Sequence, residues 1–302
     1  MADVREQAAV LALVEKSPHL WSDIATLIES GGSALRLVRR DWSGFEPQEL
    51  QEAKQVGDVT EADLDRYEQL IADSAAEGSA LLTVLDDAYP RNLRQVYNRP
   101  PFLFVRGRLL PDDERAIAVV GTRRASERGL EQAVTLAREL AERGVTVLSG
   151  LALGIDGAAH EATLGAGGRT VAVMGTGIRR VYPRQHEALA ARILDEGGAL
   201  VSQFWPDGPP TKYSFPMRNA VMSGMAIGTV VVEASSTSGA RMQARLALEH
   251  GKLLFLVKDL VMQENWARRY AEHPATTVVE DVEDVLAVLS AATRPVEQLT
   301  LG

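Results

Sequence analysis

Arg123 and Arg124 follow Gly121 and Thr122 and precede Ser126, an order of residue types that suits the binding of an anion. Glycine lets a ligand approach the backbone, serine can cap the helix that follows, and a guanidinium presents a planar fork of donors. Similar loops recur along the chain. Ser149 and Gly150 open the turn of SGLALGIDGAAH, Gly175, Thr176 and Gly177 follow TVAVM, and Ser238 with Gly239 closes ASSTSG after GTVVVE. Their hydroxyls and free amides make plausible phosphate cradles. Within SQFWPDGPPTKYSFPMRN, Lys212, Phe215, Arg218 and Asn219 mix basic and aromatic side chains. That mixture suits a single nucleic-acid strand, whose backbone is neutralised while its bases stack.

Acid–base chemistry has fewer candidates. Asp156 reads as the N-cap of a helix, with His160 four residues on and on the same face, where a structural histidine is the simpler reading. Glu233 ends GTVVVE just before a Ser/Thr/Gly loop, so Glu233, Asp156 and His160 form the alternative site of a small-nucleotide sensor or a nucleotide-processing, N-glycosidase-like enzyme. GTGIRR has Arg180 where a dinucleotide fingerprint needs its third glycine. No P-loop, HExxH or GxSxG motif is present, the five histidines lack metal-ligand spacing, and there is no cysteine. A non-enzymatic protein with no cofactor and no metal is expected.

These loops need a scaffold that gathers them. AIAVV, VTVLS, TVAVM and GTVVVE are short apolar runs rich in β-branched residues, each stopping at small residues before a helical pattern. That is the signature of a parallel α/β sheet, whose loops then share one edge. In open parallel sheets the crevice outside the strand C-termini receives ligands, because helix N-termini converge there. Residues 115–290 are therefore expected to form the main α/β domain. Amphipathic pieces such as EADLDRYEQLIADSAAEG, with SDIATLIES read as Ser-capped, predict a small helical domain over 1–78. Residues 79–114 read as a connecting region packed on the main domain, and 291–302 as a tail.

At 302 residues two domains are expected, and neither a signal peptide nor a long apolar run appears, so a cytoplasmic protein without membrane contact is expected. The net charge of -9 is unevenly distributed. Residues 1–110 carry 12 basic and 18 acidic side chains, whereas residues 115–257 carry 16 basic and 12 acidic ones. Local potential governs phosphate binding, so the overall sign does not exclude DNA.

Six blocks, YPRNLRQVYNRPPFLFVRG, VVGTRRAS, SGLALGIDGAAHEATL, VAVMGTGIRRVYP, FPMRNAVMSG and VVVEASSTSG, resemble in order the DNA-processing protein A family, also called Smf. The resemblance covers roughly residues 81–256. It implies an α/β fold with an extended Rossmann-like sheet preceded by a small helical, SAM/helix-hairpin-helix-like domain. It also implies binding of single-stranded DNA, a homodimer, and delivery of DNA to a RecA-type recombinase in transformation or recombination. Arg123 matches the family's loop arginine, and Arg218 with Asn219 its Arg-Asn pair. Departures are Gln203 for the family's glutamate, Ala240 and Arg241 for Ser-Leu, and KDLVMQENWARRYAEHP in place of a Pro-Gly and a later glycine and asparagine loop. A scaffold whose edge site has decayed is the remaining alternative.

Overall fold

The computed structural model describes residues 3–292. Among the described residues nine strands form one sheet: β1 (Ser79–Thr83), β2 (Phe102–Gly107), β3 (Ile117–Val120), β4 (Val147–Ser149), β5 (Thr170–Val173), β6 (Ala199–Ser202), β7 (Gly228–Val231), β8 (Leu253–Val257) and β9 (Thr276–Val279). Their spatial order is β1-β2-β6-β5-β4-β3-β7-β8-β9. β3 to β9 run parallel, and the β1–β2 pair adds antiparallel to β6, with Phe104 opposite Ser202. This is the extended Rossmann-like α/β fold that the sequence implies. Within 79–114, expected as a connecting region packed on the main domain, two stretches are strands of the sheet itself.

The helices are α1 (Val4–Lys16), α2 (Trp21–Gly31), α3 (Ala34–Val38), α4 (Pro47–Ala53), α5 (Glu61–Ala76), α6 (Arg91–Arg94), α7 (Glu127–Glu142), α8 (Ile155–Gly165), α9 (Glu187–Asp195), α10 (Ser214–Met225), α11 (Gly239–Glu249), α12 (Lys258–Gln263), α13 (Asn265–Ala271) and α14 (Val282–Ala292). Local chemistry sets many of their ends. Thr60 and Asp63 close a reciprocal capping box on α5, and Ser33 caps α3. Gly32 ends α2 in the left-handed conformation at φ 68°. Ser22, expected as a cap, lies inside α2 because a short helical turn from Pro18 leads straight into Trp21. The tail from 293 lies outside the described residues, and α14 carries the chain through 291–292.

Strand alternation divides the core between the two faces of the sheet. Ile117 and Val119 pack with Leu136 and Leu140 of α7, Ile155 of α8 and Val285 of α14. Ala118 and Val120 face the layer that includes α10 and α11, continuous with the apolar interior of α1 and α2. The helical pieces dock through aromatic contacts. Trp205, after β6, stacks on Tyr67 of α5 at 5.5 Å and lies 5.3 Å from Phe102 of β2. Arg179 bonds Glu77 at the end of α5 and Asp207 at 2.8 Å. Among the described residues no helix is long and apolar enough to cross a membrane.

Candidate nucleic-acid interface

From β3 the chain moves outward through β4, β5 and β6, and from β7 it moves the other way through β8 and β9. The loops after β3 and β7 therefore diverge, opening a crevice at the switch point of the sheet. A cavity of about 350 Å³ lies there. It is lined by Gly121, Thr122, Arg123 and Arg124 after β3, by Phe215, Arg218 and Asn219 of α10, and by Ser238 and Gly239 at the start of α11. Loops distant in sequence thus meet because two adjacent parallel strands end side by side, with Val120 opposite Val231.

The rim carries the groups available to a ligand. Arg123 is exposed, with its guanidinium 5.0 Å from the Phe215 ring centroid. Phe215 in turn lies 5.8 Å from Tyr182, which is 44% exposed. Arginine, phenylalanine and tyrosine therefore form one continuous flat-faced cluster, and such faces accept bases. Tyr182 is not among the expected binding residues; the basic–aromatic run RRVYP was the signal that could have found it. Arg124 is also exposed, its backbone N–H held by the Thr122 hydroxyl at 3.3 Å. Lys212 projects outside the cavity, with its ammonium 4.8 Å from the Tyr213 ring. Ser238 caps α11 by accepting from the Ala240 N–H at 3.2 Å, so the positive end of that helix opens on the cavity.

Other expected contacts are turned inward. Arg218 is 5% exposed, and it donates to the carbonyls of Gly150 and, at 2.9 Å, Val173, and to the Asn219 side chain at 3.0 Å. Burial lowers its pKa while the nearby Asp156 charge opposes that shift. Asn219 uses its amide on the Gly239 carbonyl at 3.2 Å. These two residues brace the loops after β4, β5 and β7 and do not reach out for phosphate. Ser149 is fully buried and donates to the Val119 carbonyl at 2.7 Å; the Gly150 N–H donates to Asp156 at 3.1 Å. Neither is free for an anion. A Cβ on Gly175 would stand 2.7 Å from the Phe215 ring, so this glycine is what lets Phe215 lie over the end of β5. Thr176 is buried on the Arg180 carbonyl, and the Gly177 N–H bonds the Gly208 carbonyl at 2.9 Å. That loop is a packed turn outside the cavity.

The acid–base candidates are likewise occupied. Gly154 is the N-cap of α8, and Asp156 sits two residues further in, aimed at the loop amides. Burial pushes the Asp156 carboxyl above its usual range, and the Arg218 charge and the amides of Gly150, Ala152 and Gly121 pull it back. His160 is fully buried against Thr170 at 2.7 Å, and burial, with the His186 and Arg218 charges, lowers its pKa to about 3. The Thr170 hydroxyl already donates to the Val147 carbonyl at 2.7 Å, so the histidine holds its proton on Nδ1. Glu233 accepts from the backbone N–H of Ser126 at 3.1 Å and from its hydroxyl at 2.7 Å, while Ser126 caps α7 through the Gly129 N–H. The three groups stand in separate packed environments rather than around one substrate.

Fold and crevice together define a Rossmann-like protein with a polyanion-compatible edge. A family model described as DNA recombination-mediator protein A matches residues 80–290. The chain belongs to that family, the DNA-processing protein A or Smf family. It is 45% identical over 175 residues to Protein Smf of Escherichia coli strain K12, covering 58% of this chain and 47% of that protein. It is 35% identical over 190 residues to DNA processing protein DprA of Bacillus subtilis strain 168, covering 63% of this chain and 64% of that protein. The chain thus spans about half to two thirds of these relatives' lengths. The X-ray structure of DNA processing protein A from Streptococcus pneumoniae superimposes with a TM-score of 0.70 at 28% identity, over 93% of this chain and 97% of that one. A structure describing the single-stranded DNA binding mode of DNA processing protein A from Helicobacter pylori shares the fold, with a TM-score of 0.61 at 24% identity over 71% of this chain and 96% of that one.

Proposed function

We propose that this protein binds single-stranded DNA without cleaving it and passes it to a RecA-type recombinase in transformation or recombination, acting in the cytoplasm as a homodimer. The observation that carries the reading is Arg123, exposed on the cavity rim with its guanidinium over Phe215. Phosphates lie on Arg123 and the start of α11, Arg124 faces the strand from the same loop, and Lys212 extends the basic path. Bases stack on Phe215 and Tyr182. Arg218 and Asn219 contribute by holding the loops in place. The single-stranded DNA binding described for the Helicobacter pylori protein and the family's DNA-processing relatives support the same reading.

Anisotropy of a labelled oligothymidylate across a salt series tests it. Affinity should fall steeply with salt, because phosphate neutralisation releases counterions. Binding that ignores salt, or no binding at low salt, refutes the reading. Delivery is tested by whether DNA bound beforehand by the protein accelerates filament formation by a RecA-type recombinase.

A further inference from the structure

A second cavity, of about 400 Å³, adjoins the first, and Thr122, Arg124 and Ser235 line both. Its outer wall comes from Asp259 and Gln263 of α12, and from Glu264 between α12 and α13. That wall is anchored. Trp266 is buried, donates its indole N–H to the Ala234 carbonyl at 3.2 Å, and meets Tyr270 edge-on at 5.5 Å.

Several polar groups around this cavity are already engaged. Glu233 is bound to Ser126, and Asp259 accepts from Gln132 at 2.7 Å and forms an ion pair with Arg128 at 2.6 Å. The Arg124 guanidinium, the Gln263 amide and the half-buried Glu264 carboxylate remain without side-chain partners among the described residues. One cation, one anion and one amide around a space of this size complement a neutral, flat solute with acceptors on one edge and donors on another. A free anion would meet Glu264, and a free metal ion would meet Arg124.

Guanine has that pattern. Its O6 and N7 accept from an arginine fork, and its N1–H and N2–H groups donate toward a carboxylate. Adenine sets a donor beside N7 and so opposes the arginine. We propose that the cavity walled by α12 and Glu264 holds a guanine base of the same strand whose phosphates lie on Arg123, an inference that rests on the single-stranded DNA reading above. The shared Thr122–Arg124 ridge lets one strand place a phosphate on one side and a base on the other.

The test compares oligothymidylates carrying one central guanine, adenine or hypoxanthine, each expressed as an affinity ratio to the all-thymidine strand, so that general losses of binding cancel. Guanine should bind about tenfold tighter than adenine, the scale of one bidentate base contact. Hypoxanthine, lacking only the N2 amino group, should fall between them. Glu264→Gln should shrink the guanine preference, chiefly by narrowing the gap between guanine and hypoxanthine, while the share read by Arg124 remains. Equal ratios for guanine and adenine with salt-sensitive thymidylate binding intact overturn this proposal alone, as does a preference untouched by Glu264→Gln. The hypoxanthine comparison needs only the unmodified protein. Failure of the all-thymidine strand to bind refutes the underlying reading and this proposal with it.

Discussion

Glu233 and Ser126 lock together across the ends of the two central strands: the carboxylate takes both the Ser126 N–H, at 3.1 Å, and its hydroxyl, at 2.7 Å. The Glu233 carbonyl also accepts from the Thr122 N–H at 2.7 Å. A negative side chain of the protein itself thus sits at the positive end of α7, and the Arg123 loop is held from both sides.

Removing that carboxylate should therefore loosen the loop. Glu233→Ala is expected to lower stability by about 1–2 kcal/mol, the scale of a lost cap and its hydrogen bonds. Urea denaturation should show a lower midpoint with an unchanged slope. An unshifted midpoint would mean that the bond does not support the loop.

Two arginines of the same cavity should separate binding from folding. Arg123→Ala should weaken oligothymidylate binding and reduce the salt slope by about 0.7, the single-strand value per phosphate contact. Its unfolding midpoint should stay nearly fixed. Arg218→Ala should cost about 3 kcal/mol of stability, because it leaves two buried carbonyls and the Asn219 side-chain oxygen without their donor. Comparing the two by thermal unfolding and anisotropy checks this; an Arg218→Ala protein as stable as wild type would reassign Arg218 to the ligand.

Acid should destabilise the fold through its buried imidazoles. His160, lowered to about 3 from 6.5, prefers to be neutral when folded, so its contribution is complete above pH 6.5 and declines as pH falls toward 3. Between pH 7 and pH 5 that loss amounts to about 2 kcal/mol. His250, lowered to about 4 by burial and the Lys252 charge, acts in the same direction. Asp156, raised by burial, opposes them where it titrates. Urea midpoints measured from pH 7 to pH 5 should fall, and His160→Gln should flatten the fall; an identical slope in that variant contradicts the assignment.

Docking of the helical elements should depend on the ring stack more than on the ion pair. Arg179→Ala removes a partly exposed bridge and should cost less than about 1 kcal/mol. Trp205→Ala should cost about 2 kcal/mol, less than a fully buried tryptophan, and should raise amide exchange in α5. Equal effects of the two substitutions would refute this ranking.

β3, β4, β5 and β7 were legible because each of these apolar runs ends at small residues where the chain must turn. β1 and β2 also read locally as a strand and an extended apolar stretch, but the pairing of β2 with β6 is a contact between distant segments that leaves no local period. β9, in TTVVE, is too short and polar to stand out from its surroundings. At the site, composition found the loops but not the direction of their side chains. Ser149 and Ser238 look equivalent in sequence, yet one is sealed under a neighbouring strand and the other caps a helix at the cavity. Arg123 and Arg218 are both arginines in runs that suit a phosphate, and only packing decides that one is exposed and the other braces carbonyls. The segment 258–274 announced itself by its departure from the family pattern. That it builds a wall depends on Trp266 reaching Ala234, which spacing does not reveal.

The pairing of β2 with β6 also constrains the order in which the protein can be made. Gly107 pairs with Ala199, so about ninety residues must be synthesised after β2 before its partner exists. At ribosomal speeds that interval is about 5–20 s, during which one side of β2 has unmet backbone donors and acceptors. The nascent chain is then most prone to join another nascent chain strand to strand, and that exposure ends only when β6 arrives.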